Sequence, residues 1–286
     1  MTALPASVPH TARRGESRPI AIITGASSGI GRDFADLYAR DGHDLVLVAR
    51  RRDALESLGR SLGERYGIVC EVFPADLARR LDREHLAARM RSIDDRVVAL
   101  VNNAGIGTHG YFHETDLERE LEIIDLNIAA LTHLAKLVLP GMLARRHGQI
   151  VNVSSLAAFQ PGPLMAVYYA SKAYVQSFSE ALAEEVAGTG VTVTALCPGP
   201  TRTEFHGQAG IHADAPAGGP QTMTSREVAE AGYRAANRGK RVVVTGFRNK
   251  IVVLANRLLS RRRMTRLVRR LQERRRAVAR RPLTKS

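Results

Sequence analysis

Short runs rich in β-branched residues alternate with helical segments along this chain, and that alternation restricts its fold more than any other feature. The runs are Ile20–Thr24, Asp44–Ala49, Ile68–Phe73, Val97–Val101, Gln149–Val153, Val191–Leu196 and Arg241–Thr245. Between them apolar residues recur at three- and four-residue spacing, as at Leu117, Leu121, Ile124 and Ile128, the pattern of a helix with one inward face. The strands read as continuous apolar runs instead of strict alternations, as expected where helices cover both faces of a parallel sheet. A doubly wound α/β domain follows. In such sheets ligands bind beyond the carboxyl ends of the strands, so the residues just after each strand carry the chemistry.

Composition narrows the classes further. With 44% hydrophobic and 24% charged residues, the 286-residue chain is neither disordered nor fibrous. Two cysteines, Cys70 and Cys197, make no disulfide framework and no zinc-ligand spacing, so no metal is expected and a reducing, cytoplasmic setting fits. The first residues hold arginines but no apolar h-region, which points to a short flexible leader. No run of about 18 apolar residues suggests a transmembrane helix. The net charge of +14 is concentrated at one end: from Arg257 to Ser286 there are 13 Lys/Arg and one acid, Glu273. That tail carries +12 and leaves a nearly neutral body.

The first strand runs into Thr24-Gly25-Ala26-Ser27-Ser28-Gly29-Ile30-Gly31 before a helix. Glycines at such a junction permit a sharp turn and a close approach of backbone to a pyrophosphate, while the helix N-terminus offers unpaired N–H groups. Read alone, the turn is either a phosphate cradle or a tight connection; its place after the first strand favours the cradle. The second strand ends at Ala49-Arg50-Arg51-Arg52, where an acid would hold the ribose hydroxyl of NAD and an arginine accommodates the 2′-phosphate of NADP. Arg50 is the leading contact and Arg51 the next, so the expected cofactor is NADP(H). Asp76 and Leu77 follow the third strand; Asp76 reads equally as an adenine acceptor or as a cap on the segment to Leu81. The fourth strand ends in Asn102-Asn103-Ala104-Gly105, small and amide residues that suit close approach of a flat cofactor, or a purely structural turn.

Ser154 and Ser155 follow the fifth strand, and Tyr168 lies 13 residues beyond the second of them in Tyr168-Tyr169-Ala170-Ser171-Lys172. On a helix Tyr168 and Lys172 share one face. Tyr169 and Tyr174 have Ala173 and Phe178 at the corresponding position, so neither has a cationic partner. An ammonium beside a phenol favours phenolate, and the expectation is a lowered tyrosine pKa and a usable acid/base.

The set TGASSGIG, NNAG, Asn127, Ser155, Tyr168-x-x-x-Lys172 and Pro198-Gly199 resembles the short-chain dehydrogenase/reductase family over about residues 18–247. The resemblance implies a single Rossmann-type domain with seven strands in the order 3-2-1-4-5-6-7. It precedes a basic amphipathic helical tail at 248–286 and follows a leader at 1–17. It implies that Tyr168 donates the proton in reduction, that Ser155 bonds the substrate oxygen, and that Lys172 binds the nicotinamide ribose. Asn127 would hold a water in a proton relay from Lys172, and Pro198, Gly199 and Thr203 would contact the nicotinamide end. The implied activity is hydride transfer between NADP(H) and a carbonyl or alcohol substrate, in a homo-oligomer. The rival reading is a regulator that binds NADP(H) without turnover; an intact Ser155/Tyr168/Lys172 set argues against it.

Other features carry less weight. His109 and His113 read as exposed loop histidines, and the cysteines as small buried hydrophobes. Residues 206–224, rich in Gly, Ala and Pro, read as a loop covering the substrate ahead of a helix capped near Ser225. In the tail, Met264, Leu267, Val268 and Leu271 form an apolar stripe among arginines. Such a helix packs on its own domain or meets a partner, first among them an anionic membrane surface. A nucleic-acid partner is disfavoured because the body has no stacking platform or reading motif.

Overall fold

Consecutive residues of the first strand, β1 (Ile20–Thr24), are all buried and point to opposite sides of a sheet: Ile20 and Ile22 join one apolar cluster, Ala21 and Ile23 the other. The buried residues of β2 (Asp44–Ala49) and β4 (Val97–Asn102) divide likewise, Val46, Val48, Val97 and Leu100 joining the first cluster and Leu45, Leu47, Ala99 and Val101 the second. Strands apolar on both sides need cover on both sides. On one face it comes from α3 (Arg80–Arg91), α5 (Leu131–Arg145) and α6 (Ala166–Glu185); on the other it comes from α1 (Gly29–Arg40) and α2 (Arg52–Tyr66). The computed structural model describes residues 18–208 and 222–279; the leader and most of the 206–224 loop lie outside the described residues.

The remaining large strands are β3 (Cys70–Pro74), β5 (Gly148–Val153), β6 (Val191–Cys197) and β9 (Val242–Val244). They form one seven-stranded sheet in the order β3-β2-β1-β4-β5-β6-β9 with every pairing parallel, the Rossmann-type arrangement expected. Because order reverses between β1 and β4, their carboxyl ends open a crevice. The two-residue strands β7 (Thr201–Arg202) and β8 (Met223–Thr224) pair separately beyond it, next to the short α7 (Phe205–Gln208).

Strand β3 begins two residues later than the apolar run suggests. Gly67 ends α2 in the left-handed region, its N–H bonded to Gly63 O, and Ile68 is buried against the same cluster as α2. The helix cap therefore takes the apolar residue that sequence assigns to the strand. Helix α8 (Ser225–Asn237) starts where expected, with Thr224 and Glu227 forming a reciprocal capping box.

Between α4 (Leu117–Ile124) and α5 the chain makes a π-helical turn, Asp125–Ala130, so one helical stretch runs from Leu117 to Arg145. By length and composition it could cross a membrane, a property hidden in the sequence by the polar interruptions Asn127, Thr132, His133 and Lys136. Its apolar residues Ile123, Leu126, Leu134, Val138 and Met142 are buried in the domain's core.

Candidate active site

The crevice between β1 and β4 is held by one hydroxyl. Thr24 Oγ1 donates to Val101 O at 3.2 Å and accepts the N–H groups of Asn103 and Ala104, each at 3.0 Å. The Asn103 amide then donates to Thr24 O at 3.0 Å and Gly25 O at 3.2 Å. The loop after β4 is thus fastened to the glycine turn after β1. The turn demands its glycines: Gly25 and Gly29 have φ of 64° and 52°, and a methyl group on Gly31 would lie 2.3 Å from Gly25 O.

Helix α1 begins at this turn with Ser28 as N-cap, yet Ser28 makes no capping bond and the first turn holds no acid. Its N-terminus therefore presents its amide dipoles to the crevice without an internal anion. Arg51 reaches back to the same turn, bonding Ser27 O and Oγ at 3.3 Å, and pairs with Glu204 at 2.9 Å. Arg50 extends the other way, to Glu122 at 3.5 Å. Asp76 accepts the Ala78 N–H at 3.2 Å and so closes a turn ahead of α3, whose N-cap is Arg79, and Asp76 and Leu77 line the crevice. These residues fit a dinucleotide with a 2′-phosphate: an uncapped helix N-terminus, a glycine cradle, and two guanidinium groups at the end of β2.

A single cavity of about 490 Å³ runs from this cradle to Tyr168. It brings together the expected Gly25, Ser27, Ser28, Gly29, Ile30, Arg50, Arg51, Asp76, Leu77, Asn103, Ala104, Gly105, Ser155, Tyr168, Lys172, Pro198, Gly199 and Thr203. Gly31 and Asn127 stand just behind its wall.

Ser154 and Ser155 separate cleanly. Ser154 is buried and donates to Lys172 O at 2.9 Å, a structural bond, whereas Ser155 lines the same cavity as Tyr168 and its Oγ accepts the Ala157 N–H at 3.1 Å. Tyr168 and Lys172 do share a face of α6, with Lys172 Nζ 5.9 Å from the centre of the Tyr168 ring. Nζ donates to Val153 O at 2.8 Å. Burial pulls the Lys172 pKa down to about 8, because removing an ammonium from water favours its neutral form.

The tyrosine corrects the expectation drawn from spacing. Burial pushes its pKa up to about 12, and the Ser155 hydroxyl pulls it back only in part. The ring is packed against Gly107 and Phe205, and the neighbouring ammonium is committed to a carbonyl. Desolvation wins over proximity, so Tyr168 is held as a neutral phenol.

Asn127 sits in the π-helical turn, the kind of irregularity often found at functional sites. Its Oδ1 accepts Ile106 N–H and its Nδ2 donates to Ile106 O and Ser171 Oγ, all at 3.0 Å. A methyl group on Gly105 would come within 3.1 Å of Asn127 Oδ1 and 3.3 Å of Lys172 Nζ, so both groups face one spot.

The far wall was not foreseen. Helix α10 (Arg261–Ala279) follows α9 (Phe247–Leu258), and Val268, Leu271, Gln272 and Arg275 of α10 line the cavity. Met264 and Val268 of the apolar stripe are buried on the chain's own domain. Gln272, 2% exposed, donates to Tyr169 OH at 3.0 Å, and Tyr111 OH donates to Glu273 at 2.9 Å. Arg276 pairs with Glu114 and lies 4.8 Å over the Tyr111 ring. His109, expected in solvent, is instead half-buried beside Gln272, and burial holds its pKa below the usual histidine range; His113 is exposed as expected. Glu204, Phe205 and Met165 also line the site, and no motif marks them. The signal available for α10 was the apolar stripe through Met264, Leu267, Val268 and Leu271, of which Met264 and Val268 are buried.

Comparison with known proteins gives a consistent picture. The family described as short chain dehydrogenase matches residues 19–213. A hydroxysteroid dehydrogenase-like protein 1 from Gallus gallus is 37% identical over 181 residues, covering 62% of this chain and 54% of that protein. The chain thus matches little more than half the length of its first curated relatives. A short-chain dehydrogenase from Sphingobium yanoikuyae, solved in complex with NADPH, superposes with a TM-score of 0.76 at 37% identity, covering 84% of this chain and 94% of that one. A bulky-bulky ketone specific alcohol dehydrogenase from Comamonas testosteroni gives 0.70 at 30% identity, covering 94% and 96%.

Proposed function

The chain belongs to the short-chain dehydrogenase/reductase family, an oxidoreductase family, and on that premise we propose that it reduces a ketone or aldehyde with NADPH. The observation that carries this reading is the joint lining of one cavity by the glycine cradle, Ser155, Tyr168 and Lys172. The NADPH complex of the Sphingobium relative and the arginines after β2 support the cofactor.

When bound, NADPH supplies the hydride. The glycine turn and the α1 N-terminus would hold its pyrophosphate and Arg50 and Arg51 its 2′-phosphate, with Pro198, Gly199 and Thr203 at the nicotinamide end. Ser155 donates a hydrogen bond to the carbonyl oxygen of the substrate as negative charge develops there. Tyr168, protonated at neutral pH because of its burial, gives its proton to that oxygen. The Lys172 ammonium stabilises the tyrosinate left behind, and the spot it shares with Asn127 suits a water that returns a proton.

The surface supports two further parts of the proposal. Phe247, Ile251, Leu254 and Leu258 are exposed along α9, spaced by four, three and four residues, and the helix that follows is rich in arginine. That combination suits an anionic membrane surface. Exposed Leu117, Leu121 and Ile124 on α4, with Tyr174 on α6, suit a homo-oligomer.

Replacing Tyr168 by Phe should lower carbonyl reduction by about 10²–10⁴-fold and leave NADPH affinity unchanged, measured by NADPH absorbance and by calorimetry; turnover within a few-fold of the parent would refute the proton role. Arg50→Asp should weaken NADPH by roughly 10–100-fold while NADH changes little, and equal loss of both would reject the 2′-phosphate assignment. For the surface, Phe247→Ser with Leu258→Ser should cut sedimentation with phosphatidylserine vesicles by about fivefold or more. Sedimentation that is absent in the parent, or unchanged in the variant, speaks against membrane contact, and a solution mass of 31.2 kDa speaks against the oligomer.

A further inference from the structure

The arginines that α10 brings to the domain are not equivalent. Arg269 pairs with Glu273 at 2.8 Å and Arg276 with Glu114. Arg275, one turn beyond Leu271 and next to the buried Gln272 pair, lines the cavity and has no acid within salt-bridge distance among the described residues. It is partly buried, so water compensates its charge incompletely.

Among the described residues the acids that line the cavity are Asp76 and Glu204. Asp76 stands beyond β3, and Glu204 is already paired with Arg51 at the cofactor end. The same cavity is lined by apolar Leu156, Met165, Phe205, Val252, Val268 and Leu271, of which Met165 and Phe205 pack with Tyr168, and by the polar Gln160, Tyr169 and Gln272. Among the described residues the substrate end thus has apolar walls and two cations without an acid partner, Lys172, which is committed to Val153 O, and Arg275 in the roof. Tyr169 and His109 feel Arg275: it favours the charged form of the phenol and the neutral form of the imidazole.

Resting on the reductase reading above, we propose that the substrate is an oxo acid: a carbonyl compound whose apolar body ends in a carboxylate bound by Arg275. A guanidinium matches a carboxylate through two parallel hydrogen bonds. With Lys172 committed to Val153 O, Arg275 is the cation left among the described residues to match one negative charge, which favours a carboxylate over a doubly charged phosphate. The carbonyl then lies at Ser155 and Tyr168, separated from the carboxylate by the apolar walls. This makes α10 a specificity element of the site as well as its cover.

Calorimetric titration of the full chain, with and without saturating NADPH, tests this with octanoate and octanamide, probes of equal apolar length that differ in charge. The parent protein should bind octanoate at least about 10-fold more tightly than octanamide. In Arg275→Met that ratio should fall to about one with octanamide affinity retained, and Arg275→Lys should keep part of it. Equal binding of the two probes by the parent, or discrimination that survives in Arg275→Met, would overturn the assignment. So would a loss confined to NADPH affinity, which would place the guanidinium on the cofactor. Because the readout is binding, its outcome is separate from that of the Tyr168→Phe turnover assay, where the reductase reading itself stands or fails.

Discussion

Lys172 places a cation inside the domain, 5% exposed, with Nζ donating to Val153 O at the carboxyl end of β5. Removing an ammonium from water is costly, and the surrounding structure has to hold a partner in place to keep it there. Three elements do so. β5 supplies the carbonyl, Ser154 fastens the backbone of Lys172 to the strand end, and Asn127 ties the loop after β4 to Ser171 on the same helix. The rotation of α6 that satisfies these bonds also sets Tyr168 beside Ser155. The reactive geometry is thus a consequence of burying one charge in register with one strand.

The second half of the site depends on a different kind of constraint. Among the described residues nothing charged joins β1 to β4; the Thr24 hydroxyl and the Asn103 amide do so through backbone groups, and Gly25 and Gly31 leave the space. The two halves meet because the sheet order reverses at this pair of strands. A cofactor seated on the glycine turn therefore has a fixed direction toward α6, and the C-terminal helix closes the cavity over that end.

Most of this frame was legible in the sequence. The seven strands, the glycine turn and the Ser155–Tyr168–Lys172 spacing are local patterns, and local patterns survive folding when each agrees with the parallel sheet. What escaped was set by tertiary burial. Spacing shows that Tyr168 and Lys172 are neighbours but not how dry their surroundings are, so the direction of the tyrosine shift was misread. His109 is half-buried beside Gln272 of α10, a helix far away in sequence, and no reading of its own loop contains that fact. The apolar stripe of the arginine-rich tail was legible, with packing on its own domain as one of two readings, but nothing local showed that Gln272 and Arg275 would line the cavity. Ile68 shows the same limit on a small scale, because one apolar residue serves a helix cap or a strand equally well until Gly67 adopts its positive φ.

The pH dependence of kcat/KM for carbonyl reduction tests the central claim most directly, because it reads the ionisation of the protein before substrate binds. Lys172 is charged below its lowered pKa of about 8 and neutral above it, while Tyr168, raised to about 12, keeps its proton across the neutral range. Reduction should accordingly be fastest on the acid side and fall by about tenfold per pH unit once pH passes about 8, with Lys172→Met lowering the plateau and removing that step. A profile that stays level to about pH 10, or one that rises through pH 8, would contradict the account.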